Sequence, residues 1–202
     1  MSSKKEMRDH IIIDEPAEFK PLKEYFEEIF DMYTLESFFR DKKLIYLENR
    51  YRELYVVNID LLEYVNKMLI SRKIRIMSLG LFVGFIKGNK FIPSPQFLEE
   101  LYALIGRFRG AVVAKEKGVK AFLYGNDLLY ESVHRIYKPF KKDYIVGVID
   151  RSDMRVIGVG RAAVDLEEIR EWINKPDSRL RPVVYNEFDL GFFLREQKEY
   201  IE

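Results

Sequence analysis

The sequence predicts an α+β first half, with an antiparallel sheet and about three helices, followed by a mostly β second half. Three observations support this fold class. Apolar residues recur at helical spacing early in the chain, short apolar runs then alternate with turn residues, and strands dominate beyond residue 106. The 202 residues are 48% hydrophobic and 14% aromatic, which is enough apolar material to form a core.

The first half begins with an extension, residues 1–18, that carries no periodic pattern. Helical spacing then runs from Phe19 to Phe38, where apolar residues stand three and four positions apart. We interpret this stretch as the first helix. Two strands and a second helix follow, at residues 44–48, 53–58 and about 60–69.

A third helix has the clearest start signal in the chain. Strands are expected before it, at residues 73–79, 81–86 and 90–94. Ser94 suits an N-cap and Pro95 suits the first helical position, while Gly106 ends the apolar pattern. We therefore place an N-terminal α/β domain at residues 19–106.

The second half, residues 107–202, consists mainly of short strands. They are broken by glycine and turn residues, a pattern that favours a small barrel-like sheet. One short helix is expected near residues 166–172. The predicted strands lie at residues 111–116, 143–150, 154–164 and 183–188.

Few of the usual catalytic side chains are present. The absence of cysteine excludes disulfides, thiolate metal sites and cysteine nucleophiles. His134 has no partner ligand nearby in sequence, so we expect a structural role for it. Gly158-x-Gly160 loosely matches a dinucleotide-binding pattern, but it lies within a predicted strand instead of a strand-to-helix turn. We expect no enzyme activity, no cofactor and no bound metal.

Membrane insertion and secretion are also not expected. No apolar run approaches the ~18 residues of a membrane span, and the charged N-terminus is unlike a secretion signal. We therefore predict a soluble intracellular protein.

Positive charge is concentrated locally although the net charge is only +1. Residues 64–98 hold six basic residues and no acid, and residues 107–142 hold nine basic residues against three acids. Such blocks suit a surface that faces phosphates. Solvated charge over a core, balanced by acids nearby in space, is the alternative interpretation.

Residues 122–127 combine an aromatic residue, a glycine and an Asn-Asp pair, ahead of the strands at 143–150 and 154–164. This order resembles the PUA domain, a small RNA-binding pseudobarrel found on RNA-modifying and ribosome-maturation proteins. The resemblance implies a PUA domain at residues 107–202. Its motif residues would be Gly125, Asn126, Gly158 and Gly160.

A wider resemblance covers about residues 19–200. Residues 120–129 and 183–191 are similar to the Nip-seven family of large-ribosomal-subunit biogenesis factors. Residues 20–22, 55–57 and 78–80 match the N-terminal α/β domain of that family. The absence of cysteine and the abundance of Lys, Glu and Ile resemble an archaeal member.

This resemblance implies an RNA-binding face on the PUA domain that prefers uridine-rich single strands. Arginine would clamp phosphates or stack on bases, and Tyr124 or Trp172 would stack on a base. The alternative for each cation is a solvated loop charge, and residues 67–90 are a second candidate surface for ribosomal RNA. The implied RNA-binding cations are Arg161, Arg170, Lys175, Arg179, Arg181, Lys115, Lys117 and Lys120.

The implied function is that of a non-enzymatic assembly factor in large-subunit biogenesis and pre-rRNA processing. Expected partners are pre-rRNA, the pre-ribosomal particle, other maturation factors and the exosome. An archaeal member would be cytoplasmic, whereas eukaryotic relatives are nucleolar or nuclear. Two alternatives stay open: a PUA-bearing RNA-modifying enzyme or its accessory subunit, and a regulator of RNA degradation by the exosome.

Overall fold

A computed structural model describes most of the chain. The described residues are 11–13, 16, 19–48, 52–61, 63–64, 80–173, 175–192 and 195. The strand predicted at residues 73–79 and most of the helix predicted at 60–69 lie outside this set; of that helix, residues 60–61 and 63–64 are described and are helical. None of the described helices is long and apolar enough to cross a membrane.

The first sheet is an antiparallel meander with the strand order β1-β2-β3-β4-β5. Its strands are β1 (Ile11–Ile13), β2 (Lys42–Glu48), β3 (Arg52–Asn58), β4 (Leu81–Lys87) and β5 (Lys90–Pro93). Because β1 pairs with β2, part of the extension that precedes residue 19 belongs to this sheet.

Two helices occupy the stretch that we interpreted as one: α1 (Lys20–Ile29) and α2 (Met32–Phe39). The single-helix interpretation is wrong because Asp31 starts a new helix. Asp31 Oδ1 accepts hydrogen bonds from the backbone N–H and the hydroxyl of Thr34, both at 2.7 Å. These bonds lower the pKa of Asp31, as expected for a carboxylate that caps a helix.

The third predicted helix is confirmed as α3 (Pro95–Ile105). The Ser94 hydroxyl accepts the Phe97 N–H at 3.0 Å, and Gly106 ends the helix with a φ of +67°. The helix contacts both β4 and a strand of the second sheet. It therefore joins the two halves of the chain.

The second sheet is mixed and curled, with the strand order β7-β11-β10-β9-β6-β8. Its strands are β6 (Ala111–Ala114), β7 (Leu128–Leu129), β8 (Val133–Tyr137), β9 (Ile145–Asp150), β10 (Val156–Ala162) and β11 (Pro182–Asp189). Only β6 and β9 pair in parallel among the described strands. The helices α4 (Glu116–Leu123) and α5 (Leu166–Glu171) complete this half.

One hydrophobic cluster runs through both halves. It contains fully buried residues of the first half, such as Phe97, and of the second half, such as Val148. Phe85 of β4 and Phe188 of β11 meet edge to face, with ring centroids 5.4 Å apart. This continuous packing fixes the two halves relative to each other.

Candidate nucleic-acid interface

A cavity of about 740 Å³ opens beside β8, an edge strand of the second sheet. We call this site the basic groove because most of its ionisable side chains are basic. The basic side chains are Lys115, His134, Arg135, Lys138, Arg170 and Arg179. Glu131 is the only acidic residue in the described lining.

The turn from β6 into α4 and the strand β8 supply one wall of the basic groove. Lys115 immediately precedes α4, and its Nζ donates to the Glu131 carbonyl oxygen at 2.7 Å. His134 and Arg135 are exposed on β8, and Lys138 follows that strand directly. The pairing of β6 with β8 therefore brings together cations that lie about 20 positions apart in the sequence.

The segment after α5 supplies the other wall. Arg170 lies in the last turn of α5, and Arg179 follows a short 3-10 turn at residues 176–178. The Glu131 N–H donates to the Arg179 carbonyl oxygen at 3.0 Å, and the Tyr130 N–H donates to that of Arg181 at 2.9 Å. These two bonds hold the segment against the first wall.

The basic groove carries uncompensated positive charge. Lys138, Arg170 and Arg179 are exposed and have no ion pair among the described residues. The pKa of His134 is lowered, first by partial desolvation and then by the charges of Arg151, Arg135 and Lys115. The contribution of these three cations to the shift reflects their positive charge close to the imidazole.

The floor of the basic groove is apolar and includes one aromatic ring. Val133, Ile136 and Leu166 line it together with Tyr130, which is half-buried. The Tyr130 ring stands edge-on to Trp172 at 5.6 Å and 83°. Tyr130 is therefore the aromatic side chain placed to meet a ligand in this cavity.

The two aromatic residues that the sequence suggested for base stacking lie elsewhere. Trp172 is only 3% exposed, so its prediction as a stacking residue is wrong. The ring is held in the core by Tyr130 and by the Arg181 guanidinium, 5.4 Å from its centroid. Tyr124 is 78% exposed but ends α4, about 13 Å along the helix axis from Lys115.

Several of the predicted RNA-binding cations already have acidic partners. Lys117 pairs with Glu131 at 3.0 Å, and Lys120 pairs with Glu116 at 2.7 Å. Lys175 is 4.0 Å from Glu171, in an exposed i,i+4 contact. The structure therefore brings Lys115, Arg170 and Arg179 together in the basic groove and leaves the other predicted cations outside its lining.

Arg161 lies in a different ionic cluster, where the two sheets meet. Its guanidinium is 2.9 Å from Asp143 Oδ1 and 3.3 Å from Glu187 Oε1, and it covers the Tyr185 ring. Two lysines of the first sheet complete the cluster, because Lys87 pairs with Glu187 at 2.6 Å and Lys90 donates to the Asp143 carbonyl oxygen at 2.9 Å. We call the five residues joined by these ion pairs and hydrogen bonds the seam network: Lys87, Lys90, Asp143, Arg161 and Glu187.

Gly125 and Asn126 make structural hydrogen bonds after α4. Gly125 has a φ of +87° and donates its N–H to the Phe122 carbonyl oxygen at 2.9 Å. The N–H and the side-chain amide of Asn126 both donate to the Ala121 carbonyl oxygen, at 3.1 and 3.2 Å. This turn caps the helix and does not line the basic groove.

Gly158 and Gly160 lie within β10, as the sequence indicated, and no helix opens after them. A Cβ atom at Gly158 would stand 2.7 Å from the Phe188 carbonyl oxygen, and one at Gly160 would stand 2.3 Å from that of Tyr185. These glycines are needed for the close approach of β11, so the pattern is not a nucleotide-binding loop.

Sequence reasoning missed four residues of the basic groove: Tyr130, His134, Arg135 and Lys138. His134, for which we expected a structural role, is exposed in the groove. The density of basic residues in the block at 107–142 was the available signal. It did not show which of those residues would converge.

The geometry suits the binding of a polyanion. Arg170 and Arg179 present forked donors that match phosphate oxygens, whereas Lys115 and Lys138 act as point charges. An apolar floor with one aromatic ring adds a surface for a planar group. Among the described residues, no three His, Asp or Glu side chains converge as a metal site.

One comparison with known proteins finds a family match in the second half of the chain. Residues 110–198 match the family model described as the UPF0113 PUA domain. A curated UPF0113 protein from Archaeoglobus fulgidus is 36% identical over 104 residues. The aligned part is 52% of this chain and 56% of that relative, so the chain spans little more than half of the curated relative's length.

Solved structures extend the likeness to nearly the whole chain. A PUA domain protein from Aeropyrum pernix, solved as a tartrate complex, has a TM-score of 0.63 at 13% identity and covers 95% of this chain and 91% of its own. A hypothetical protein from Pyrococcus horikoshii has a TM-score of 0.62 at 11% identity, with coverages of 89% and 93%. A conserved PUA domain protein from Thermoplasma acidophilum has a TM-score of 0.54 at 16% identity, with coverages of 93% and 98%.

These findings confirm the predicted fold class. Helices and an antiparallel sheet form the first half, and a strand-rich half-barrel with the PUA fold forms the second half. The basic groove is therefore a feature of the PUA domain.

Proposed function

We propose that this protein binds single-stranded RNA in the basic groove of its PUA domain and assists maturation of the large ribosomal subunit without catalysing a reaction. The observation that carries the proposal is the convergence of six basic or imidazole side chains on one cavity. Three of them, Lys138, Arg170 and Arg179, lack an ion pair among the described residues. Cations without a protein partner are free to bind phosphates.

The groove favours a single strand over a duplex. Unpaired RNA is recognised by stacking on aromatic rings and by cations that follow the backbone. Tyr130 and the apolar floor offer the first kind of contact, and the two walls of the groove offer the second. A uridine preference, which the Nip-seven resemblance implies, would depend on Tyr130 in place of Tyr124 or Trp172.

The biological setting of the proposal comes from the resemblance to the Nip-seven family. It names pre-rRNA, the pre-ribosomal particle, other maturation factors and the exosome as partners. The relative from Archaeoglobus fulgidus supports an archaeal source, for which a cytoplasmic location is proposed.

The test is a titration of fluorescent uridine-rich and adenosine-rich RNA between about 50 and 300 mM salt, where counterion release is resolved. With about four phosphate contacts, log K should fall with log salt at a slope of about −3. Changing both Arg170 and Arg179 to alanine should weaken binding about 30-fold and make the slope less negative by about 1.4, because two contacts are lost.

A charge-matched control separates the groove from the overall charge of the protein. Arg40→Ala with Lys142→Ala also removes two exposed cations, and neither residue lines the basic groove. This control should bind RNA within about 2-fold of the wild type, since it removes no groove contact. Equal losses in both double variants would refute a specific groove, and no binding by the wild type at any salt would refute RNA binding itself.

A further inference from the structure

A second cavity of about 500 Å³ lies beside the basic groove, toward the first domain. The two cavities share Lys138 and Leu166 in their linings, so they are direct neighbours on the surface. We call the second one the junction cavity, because it lies where the chain passes from α3 into β6. Its polar lining is set by Arg107, Lys138, Lys141 and Glu167, beside the partly buried Arg109.

The junction cavity also carries more positive than negative charge. Arg107, Lys138 and Lys141 are exposed, and none of them has an ion pair among the described residues. Arg109 is engaged with the protein, because its guanidinium donates to the carbonyl oxygens of Ile29 at 2.9 Å and Phe30 at 3.2 Å. Glu167 is the one acid in the described lining.

The walls of this cavity are held from both domains. The Tyr102 hydroxyl donates to the Arg109 carbonyl oxygen at 3.0 Å, and the Phe108 ring packs against Tyr102 and Tyr137 at 5.1 and 5.3 Å. On the other side, the Lys142 N–H donates to Asp165 Oδ1 at 2.9 Å, which fixes the turn that carries Lys141 beside α5. A cavity built in this way is preformed, so little ordering is needed when a ligand enters.

We infer that an RNA strand bound in the basic groove continues past Lys138 into the junction cavity, where Arg107 and Lys141 bind further phosphates. This inference rests on the proposed function and adds a second contact region to it. The cavity pairs cations with the half-buried surfaces of Phe108 and Pro139, a combination that suits single-stranded RNA. The ligand is therefore a single strand longer than the basic groove alone would hold.

The inference predicts a dependence on RNA length that a groove confined to the PUA surface would not produce. An oligouridine of about 5 nucleotides should occupy the basic groove alone, whereas one of about 12 nucleotides should also reach the junction cavity. Both lengths are within the range seen for single-strand sites. For the wild type, the salt slope of the longer RNA should be steeper by about 1.4, because two more phosphates are contacted. The salt slope is the chosen readout because a longer strand can bind in more than one position. These additional positions raise the apparent affinity but leave the salt slope unchanged.

Two double variants distinguish RNA contact in the junction cavity from RNA binding in the basic groove. Arg107→Ala with Lys141→Ala should make the two salt slopes equal and leave affinity for the shorter RNA within about 2-fold. Arg170→Ala with Arg179→Ala should weaken both RNAs. The control, Arg40→Ala with Lys142→Ala, changes a direct neighbour of Lys141 that does not line the cavity and should retain the wild-type difference.

The possible failures are distinct. If the Arg107 and Lys141 variant keeps the wild-type difference in slope while the Arg170 and Arg179 variant is defective, the junction contact is refuted and the proposed function stands. If the wild type binds neither RNA, the proposed function fails. Crosslinking of a 4-thiouridine-labelled RNA of about 12 nucleotides gives a direct check, because residues 107–109 should be labelled only by the longer strand.

Discussion

The basic groove and the seam network contain the same kinds of cation in opposite electrostatic situations. In the seam network, Arg161 lies between two carboxylates, and its hydrogen bonds to Asp143 and Glu187 raise its pKa further. In the basic groove, Arg170 and Arg179 have no carboxylate partner among the described residues. The first arrangement joins two sheets, and the second leaves charge free to bind a ligand.

The comparison shows that the number of basic residues on a surface is a poor guide to its function. Arg161 was predicted to bind RNA on the same grounds as Arg170. What distinguishes them is the presence of Glu187, whose side chain is only 12% exposed, beside Arg161. A cation that neutralises a largely buried carboxylate has a structural role, which gives the comparison measurable consequences.

The largest expected effect is on the free energy of unfolding, when the seam network is broken. Arg161→Ala should lower the free energy of unfolding by about 2 kcal/mol, since Glu187 and Asp143 each lose a charged hydrogen-bond partner. RNA affinity should stay within about 2-fold, because no groove contact is removed. Urea unfolding and RNA titration on the same preparation measure both quantities.

Lys120→Ala is the matched control for this experiment. It removes an ion pair of two exposed side chains at i,i+4 spacing, so it should change the free energy of unfolding far less than Arg161→Ala does. If Arg161→Ala proved as mild as Lys120→Ala and weakened RNA binding, the separation of the two regions would be wrong.

A smaller effect, this time a gain in RNA affinity, is expected when Glu131, the acid of the basic groove, is neutralised. Glu131→Gln keeps a hydrogen-bond acceptor for Lys117 but removes the negative charge that now compensates it. RNA affinity should rise about 3-fold, and the salt slope should steepen by up to about 0.7 if the freed lysine reaches a phosphate. Fluorescence titration against the wild type measures the change.

Glu116→Gln makes the same chemical change at the exposed pair with Lys120, outside the lining of the groove. It should leave RNA affinity unchanged. Equal gains in the two variants would mean that only the overall charge matters and that the position of the acid does not.

An effect of similar size is expected on the pH dependence of RNA binding, through His134. Its pKa is lowered in the free protein by desolvation and by Arg151, Arg135 and Lys115, and bound phosphates would raise it again. Binding then takes up a proton, so affinity should increase about 3-fold as pH falls from about 7.5 to about 5.5. His134→Gln should flatten this profile, and a wild-type affinity that fell on acidification would contradict the assignment.

The same shift has a defined sign for folding in the absence of RNA. Because the pKa of His134 is lower in the folded chain than in the unfolded chain, protonation favours the unfolded state. The contribution of His134 to stability is therefore fully present above its unfolded value of about 6.5 and declines as pH falls below it.

Local signals in the sequence predicted the fold well, because they act over a few residues. Ser94 and Gly106 set the two ends of α3 as expected. The pattern from Phe19 to Phe38 did not show the break between α1 and α2, since apolar residues recur on both sides of the cap at Asp31. Periodicity reports which residues face the core and does not report a change in helix direction.

The candidate site was predicted only in part, because it depends on contacts between distant segments. The acids that neutralise Arg161 lie 18 and 26 positions away, and Lys87 is 100 positions from Glu187. Nothing near Arg161 in the sequence distinguishes it from Arg179. The burial of Trp172 likewise depends on Tyr130, which belongs to a separate segment.

The position of the basic groove on β8 also bears on the colloidal behaviour of the protein. β8 is an outer strand of its sheet, and an open strand edge is a template for pairing with another chain. The exposed charge of Arg135 discourages that pairing, so a side chain of the proposed RNA-binding groove also helps keep the molecules apart. Under the proposed function, ligand binding and resistance to self-association would therefore depend on the same residue, and an exchange of Arg135 for lysine would preserve the second role while altering the first.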